Sequence, residues 1–130
     1  METFLNKKYT YALVGASSNK QKYGYKILDN MQKAGFDIIP VNPKGGVILN
    51  QKVYTDLESV TKDKKVDVVV FVVQPKVVKS VIKDVVRLGI DKVWLQPGSE
   101  SDEVIGFCKQ KNIACYHGAC IMLEHLKFFK

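Results

Sequence analysis

The stretch Gly15-Ala16-Ser17-Ser18-Asn19-Lys20-Gln21-Lys22-Tyr23-Gly24 carries the groups that hold a phosphate. It follows an apolar run ending at Val14 and precedes a helical pattern that opens at Tyr23. A glycine at a strand end lets the backbone approach an anion closely. The helix beyond it presents unpaired N–H groups and a partial positive charge. Ser17 and Ser18 add hydroxyl donors, and Lys20 and Lys22 supply countercharge. The competing reading is a plain strand-to-helix turn.

What the segment lacks narrows the ligand. The next glycine after Gly15 is Gly24, so the GxGxxG dinucleotide fingerprint is missing. The second strand ends in Pro40-Val41-Asn42-Pro43, with no acidic residue to hold a nicotinamide ribose. NAD is therefore disfavoured, and the absent Walker A pattern argues against a P-loop hydrolase. The Pro40–Gly46 stretch offers two prolines that stiffen the strand exit and an Asn42 suited to hydrogen-bonding in a turn. Lys44 then projects from a loop at the carboxyl edge of the strands. An extra cation there suits a ligand with more phosphate than NAD; the competing reading is an ordinary surface lysine. Two further strands exit into matching turns, Val73-Gln74-Pro75 and Leu95-Gln96-Pro97-Gly98. Each is expected to present backbone N–H groups and a small apolar wall. Pro75 is also explained as a helix start, whereas Gly98 implies an unusual backbone angle or a close approach.

The elements that position these residues alternate. Tyr9–Val14 reads as the first strand. A helix from about Tyr23 to Ala34 has Ile27, Leu28 and Met31 at helical spacing and stops at Gly35. Asp37–Val41 is the second strand, Val53-Tyr54 is short and extended, and Asp56 caps a brief helix through Val60. The nearly unbroken apolar run Val66–Val73 is the third strand, buried on both faces. A helix from Pro75 to Leu88 follows, with proline at its start and Gly89 past its end. Lys92–Leu95 is the fourth strand, Ser101–Lys111 a helix capped by Ser101, Ile113–Tyr116 the fifth strand, and Ile121–Phe128 a last short helix. This alternation predicts an α/β fold: a Rossmann-like, doubly wound, five-stranded parallel sheet of order 3-2-1-4-5 with helices on both faces. Ligands of such sheets bind where the strand order reverses. That rule makes Gly15–Ser18 and Gln96–Gly98 neighbours across one crevice.

The 130 residues suit one domain spanning 1–130, with hydrophobic residues at 46% and charged residues at 25%. No apolar run approaches the roughly 20 residues of a membrane span. The first residues lack the order of a signal peptide, so a cytoplasmic location is expected. The net charge is +7, but Arg87 is the only arginine, which weakens a sequence-specific nucleic-acid reading. A basic surface suits an anionic small ligand equally well. Self-association is left open by the sequence.

Taken in order, Val14-Gly15-Ala16-Ser17-Ser18, Pro40-Val41-Asn42-Pro43, Val53-Tyr54-Thr55-Asp56-Leu57 and Trp94-Leu95-Gln96-Pro97-Gly98 resemble the stand-alone CoA-binding domain family. That family is similar to the nucleotide-binding domain of the succinyl-CoA synthetase alpha subunit. The resemblance covers nearly the whole chain. It implies coenzyme A, or an acyl-CoA, as ligand of a carrier, sensor or regulatory module. Gly15, Ala16, Ser17, Ser18, Lys22 and Tyr23 would lie at the phosphates, and Pro40, Asn42, Pro43 and Lys44 beside them, with Lys44 in the place of a phosphate-binding lysine. Val73, Pro75, Gln96, Pro97 and Gly98 would flank the adenine and pantetheine. The synthetase's second domain, with its phosphorylated histidine, is not expected here, and His117 and His125 do not inherit that role.

No Ser/His/Asp set or paired-carboxylate site is recognisable, so catalysis is not expected to be the main function. The alternative is a small enzyme acting on an acyl-CoA or other nucleotide-linked substrate, with Cys120 as a reactive thiol facing the CoA thiol. Against it stands Cys120 as a small buried filler. Cys108 and Cys115 read as core. Three cysteines without a CxxC pair exclude a disulfide framework or zinc site. His125 reads as a surface residue of the last helix.

Overall fold

A computed structural model describes residues 3–129. Strand β1 spans Thr10–Val14 and leads into helix α1, Tyr23–Lys33. Strand β2, Asp37–Val41, precedes a small antiparallel hairpin of β3, Val47–Ile48, and β4, Gln51–Lys52. Then come α2 (Leu57–Asp63), β5 (Val68–Phe71), α3 (Pro75–Arg87), β6 (Lys92–Leu95), α4 (Asp102–Gln110), β7 (Ala114–Tyr116) and α5 (Ile121–Phe128). The β3–β4 hairpin occupies the stretch between Gly46 and the extended Val53-Tyr54, to which the sequence assigns no element. Its tip needs Leu49 and Asn50 in the left-handed region, at φ 50° and 64°. Asparagine tolerates that geometry but leucine gives no sign of it.

The main sheet is parallel throughout, in the order β2-β1-β5-β6-β7. Beyond β2, Tyr54 adds an isolated parallel bridge to Val41. The sheet is thus five-stranded, parallel and doubly wound as expected, with the extended Tyr54 segment bridging at its β2 edge. The Val66–Val73 run thus supplies the strand directly beside β1. Its exit at Val72–Gln74, and not Gln96–Gly98, lies next to Gly15; the β6 exit is one strand further out.

Side chains alternate across this sheet with the period-2 rule of extended chains. Ala12, Val14, Val69 and Phe71 join Val78, Ile82, Val85 and Val104 on the face covered by α2, α3 and α4. Tyr11, Leu13, Val68, Val70 and Trp94 pack with Ile27, Leu28, Met31 and Ile121 on the face covered by α1 and α5. Tyr11 also anchors the N-terminal segment. Its hydroxyl donates to the Phe4 carbonyl at 2.7 Å and accepts the Asn6 N–H at 3.0 Å. Burial pushes its phenol up to about 12. Asp56 and Ser101 cap α2 and α4 as the sequence predicts, accepting N–H groups from Ser59 and Val104. Among the described residues, no helix is long and apolar enough to cross a membrane.

Candidate functional site

The site is built from strand exits, and the first is shaped by two glycines. Gly15 takes φ +104°, and a methyl group there would meet the Val72 carbonyl oxygen at 2.5 Å. Gly24, in the first turn of α1, lies against Gly15; a methyl group there would overlap the Gly15 carbonyl. The two glycines let α1 seat its N-terminus directly on the β1 exit. The N–H groups of Gly15 and Ala16 are taken by the Val41 carbonyl, at 3.1 and 3.3 Å. Those of Ser17, Ser18, Tyr23 and Gly24 meet no protein acceptor among the described residues. These are the orphan donors that a loop and helix N-terminus present to an anion.

Asn42 fixes the second exit to the first. Its Nδ2 donates to the Ala16 carbonyl at 2.7 Å, its Oδ1 accepts the Lys44 N–H at 2.9 Å, and its own N–H reaches the Tyr54 carbonyl at 2.9 Å. Between these exits opens a crevice of about 610 Å³. Gly15, Ala16, Ser17, Ser18, Lys22 and Tyr23 from the β1 exit, Asn42 and Lys44 from the β2 exit, and Val73 after β5 line it. The lining holds two lysines and no carboxylate, and neither Lys22 nor Lys44 makes an ion pair among the described residues. The crevice is therefore electropositive. Gln21, Gly24, Gly45, Ile48 and Val72 also line it and were not singled out from sequence. Ile48 comes from the hairpin, so only that element's recognition would have found it.

A second hollow, about 330 Å³, lies behind Gly15. Val41, Pro43, Leu57, Val73 and Val77 give it apolar walls, with Asp56 and Asp84 also in its lining. A third, of about 270 Å³, shares Tyr23 and Val72 with the main crevice and extends along Gln96, Pro97 and Cys120 to Met122 and Leu123 of α5. The expected residues thus fall around three connected hollows, apart from three. Pro40 is buried within β2 opposite Leu13. Pro75 is the first residue of α3. Gly98 is exposed at φ +95°, with open space where a side chain would stand, and its N–H goes to Glu100 Oε1 at 2.8 Å.

In the two later turns most N–H groups are taken up within the protein, and among the described residues only that of Gln74 meets no protein acceptor. Val73 exchanges two hydrogen bonds with the buried Ser99 hydroxyl: its N–H donates at 3.1 Å and its carbonyl accepts at 2.6 Å. The Gln96 N–H donates to the Phe71 carbonyl at 3.0 Å, and the Ser99 N–H to the Gln96 carbonyl at 2.9 Å. These turns supply walls. Ser99 locks the β5 exit to the β6 exit and was missed, because a serine after Pro-Gly reads only as a turn residue.

The Gln96 side chain, 3% exposed, caps α5. Its Oε1 accepts the Ile121 N–H at 2.8 Å and its Nε2 donates to Cys120 Sγ at 3.2 Å. Cys120 is half-buried and lines the third hollow, so it is not the enclosed filler the sequence suggested. Cys108 is buried, and Cys115 packs against the same core. His125 corrects another expectation. It is 2% exposed, stacked edge-on against Phe36 at 5.0 Å, with Nε2 hydrogen-bonded to Asn30 at 2.6 Å. α5 therefore docks on α1 through His125 and turns Leu123 and Leu126 outward.

Comparison with known proteins bears on this site. The CoA binding domain family matches residues 9–126. The uncharacterized protein YneT of Bacillus subtilis is 25% identical over 125 residues, covering 96% of this chain and 91% of that protein. The alpha subunit of the ADP-forming acetate–CoA ligase I of Pyrococcus furiosus is 35% identical over 97 residues, covering 72% of this chain. The match covers 21% of that subunit's own length. A conserved hypothetical protein of Pyrococcus furiosus superposes with a TM-score of 0.84 at 44% identity, covering 89% of this chain and 98% of that one.

Proposed function

Since the chain belongs to the CoA binding domain family, we propose that it binds coenzyme A, or an acyl-CoA, as a carrier, sensor or regulatory module. One observation carries this reading. The orphan N–H groups of Ser17, Ser18, Tyr23 and Gly24 gather with Lys22 and Lys44 around a crevice free of carboxylates. Such a cradle favours a polyanion, because charge-assisted hydrogen bonds are about twice as strong as neutral ones. The phosphates take the crevice. The adenine enters the apolar hollow behind Gly15, between Pro43 and Val73, and the pantetheine arm runs past Tyr23 and Val72 so that only its thiol end reaches the hollow of Gln96, Pro97 and Cys120. Pro40, Pro75 and Gly98 act through the backbone they fix, as the stiff end of β2, the start of α3 and the bend after β6.

The test is mass spectrometry of the natively purified protein, together with a heat-stability shift on adding CoA or NAD. Co-purified CoA or an acyl-CoA, and stabilisation by CoA alone, is the expected result. Stabilisation by NAD alone would overturn the reading. The half-buried Cys120 beside the third hollow favours a second reading, an enzyme with a reactive thiol there. Turnover of an acyl-CoA that is lost in Cys120→Ala would establish it.

A further inference from the structure

We infer that the hollow beside Cys120 houses the acyl end of an acyl-CoA, so that the protein prefers thioesters of short aliphatic acids to free CoA. The inference rests on the CoA reading above and adds a substrate class to it. Four observations support it. First, the hollow continues the phosphate crevice: Tyr23 and Val72 line both. Second, at about 270 Å³ it falls below the roughly 300–1,000 Å³ that encloses a whole ligand. It is a compartment for one end of a ligand seated elsewhere.

Third, its chemistry is apolar. No Lys, Arg, Asp or Glu lines it. Its one amide side chain is already engaged within the protein, since Gln96 uses Oε1 on the Ile121 N–H and Nε2 on Cys120 Sγ, which leaves the Tyr23 hydroxyl as the one oxygen-bearing side-chain group without a partner there. A group rich in amides or hydroxyls would find few partners and lose water on entering. An aliphatic chain loses nothing. Fourth, Tyr23 and Leu123 at its edges are 59% and 58% exposed, so apolar surface stands ready to be covered by what enters. Met122 and Pro97 complete the wall.

Isothermal titration of the full chain with CoA, acetyl-CoA, butyryl-CoA and hexanoyl-CoA tests this. A buried methylene strengthens binding by up to about fourfold, so affinity should rise about two- to fourfold per methylene from acetyl to butyryl. Leu123→Asp, at a position exposed enough to leave the fold intact by melting, should flatten that rise. CoA binding with no gain along the series overturns the acyl inference and leaves the CoA reading standing. A rise untouched by Leu123→Asp also overturns it, since the chain would then lie elsewhere. Failure of CoA and every thioester to bind overturns both readings.

Discussion

Gly24 rests on the carbonyl oxygen of Gly15, with no room between them for a methyl group. The contact joins the first turn of α1 to the end of β1, and so fixes where the helix N-terminus points. In dinucleotide-binding folds a glycine inside a short fingerprint serves this helix-to-strand packing. Here the glycine stands nine residues after Gly15, at the far end of a longer loop. Gly24→Ala therefore forces the helix away from the strand. Overpacking of this kind costs roughly 1–3 kcal/mol, which should appear as a lowered midpoint in thermal denaturation. CoA affinity should fall with it, because the orphan N–H groups move. A variant as stable as the wild type would contradict the contact.

Ser99 holds Val73, which lines the crevice, through two hydrogen bonds. Ser99→Ala leaves both the N–H and the carbonyl of Val73 without their partner. An unsatisfied buried group costs about 1–3 kcal/mol, and because Val73 is part-buried beside an open crevice, denaturant unfolding should show a loss at the lower end of that range. Ser99→Thr, which keeps the hydroxyl, should recover part of it.

Lys44 stands at the mouth of the crevice on a loop fixed by Asn42. Lys44→Ala should weaken CoA binding by about 1–3 kcal/mol in calorimetry. Its effect should shrink as salt rises, since exposed charges are screened over about 10 Å at 0.1 M. Unchanged affinity would place the phosphates elsewhere.

His125 makes stability depend on pH. Burial, with the charge of Lys7 adding to it, holds its imidazole below the usual value. The folded protein keeps the ring neutral where the unfolded chain, titrating near 6.5, takes up a proton. This contribution is fully present above about pH 6.5 and is lost as pH falls from there toward the folded-state value. Melting temperature should thus decline from pH 6.5 to pH 5, and His125→Gln should show a shallower decline. Parallel curves for the two proteins would rule out His125 as the cause.

The fold was legible because its signals are local and repeated. The apolar run of β5, Pro75 and Gly89 around α3, and the caps Asp56 and Ser101 each carry their own physical reason. The glycine-led turn from β1 into α1 was legible for the same reason. What the sequence hid depends on distant partners. Nothing local in His-Leu-Lys shows that His125 meets Asn30 and Phe36 across 95 and 89 positions of chain. Likewise Gln96 looks like a ligand-binding amide until α5 is seen to end on it. The β3–β4 hairpin escaped because its tip rests on Leu49 in a left-handed conformation, which residue type does not announce.

Asn42 closes its own turn through Lys44 and ties it to two other stretches of chain, at Ala16 and Tyr54. The walls of the crevice are thereby set before any ligand arrives. Little disorder remains to be quenched on docking, so less of the interaction energy is lost to it. Uptake should then proceed as a single bimolecular step, without a slow closing phase in its kinetics.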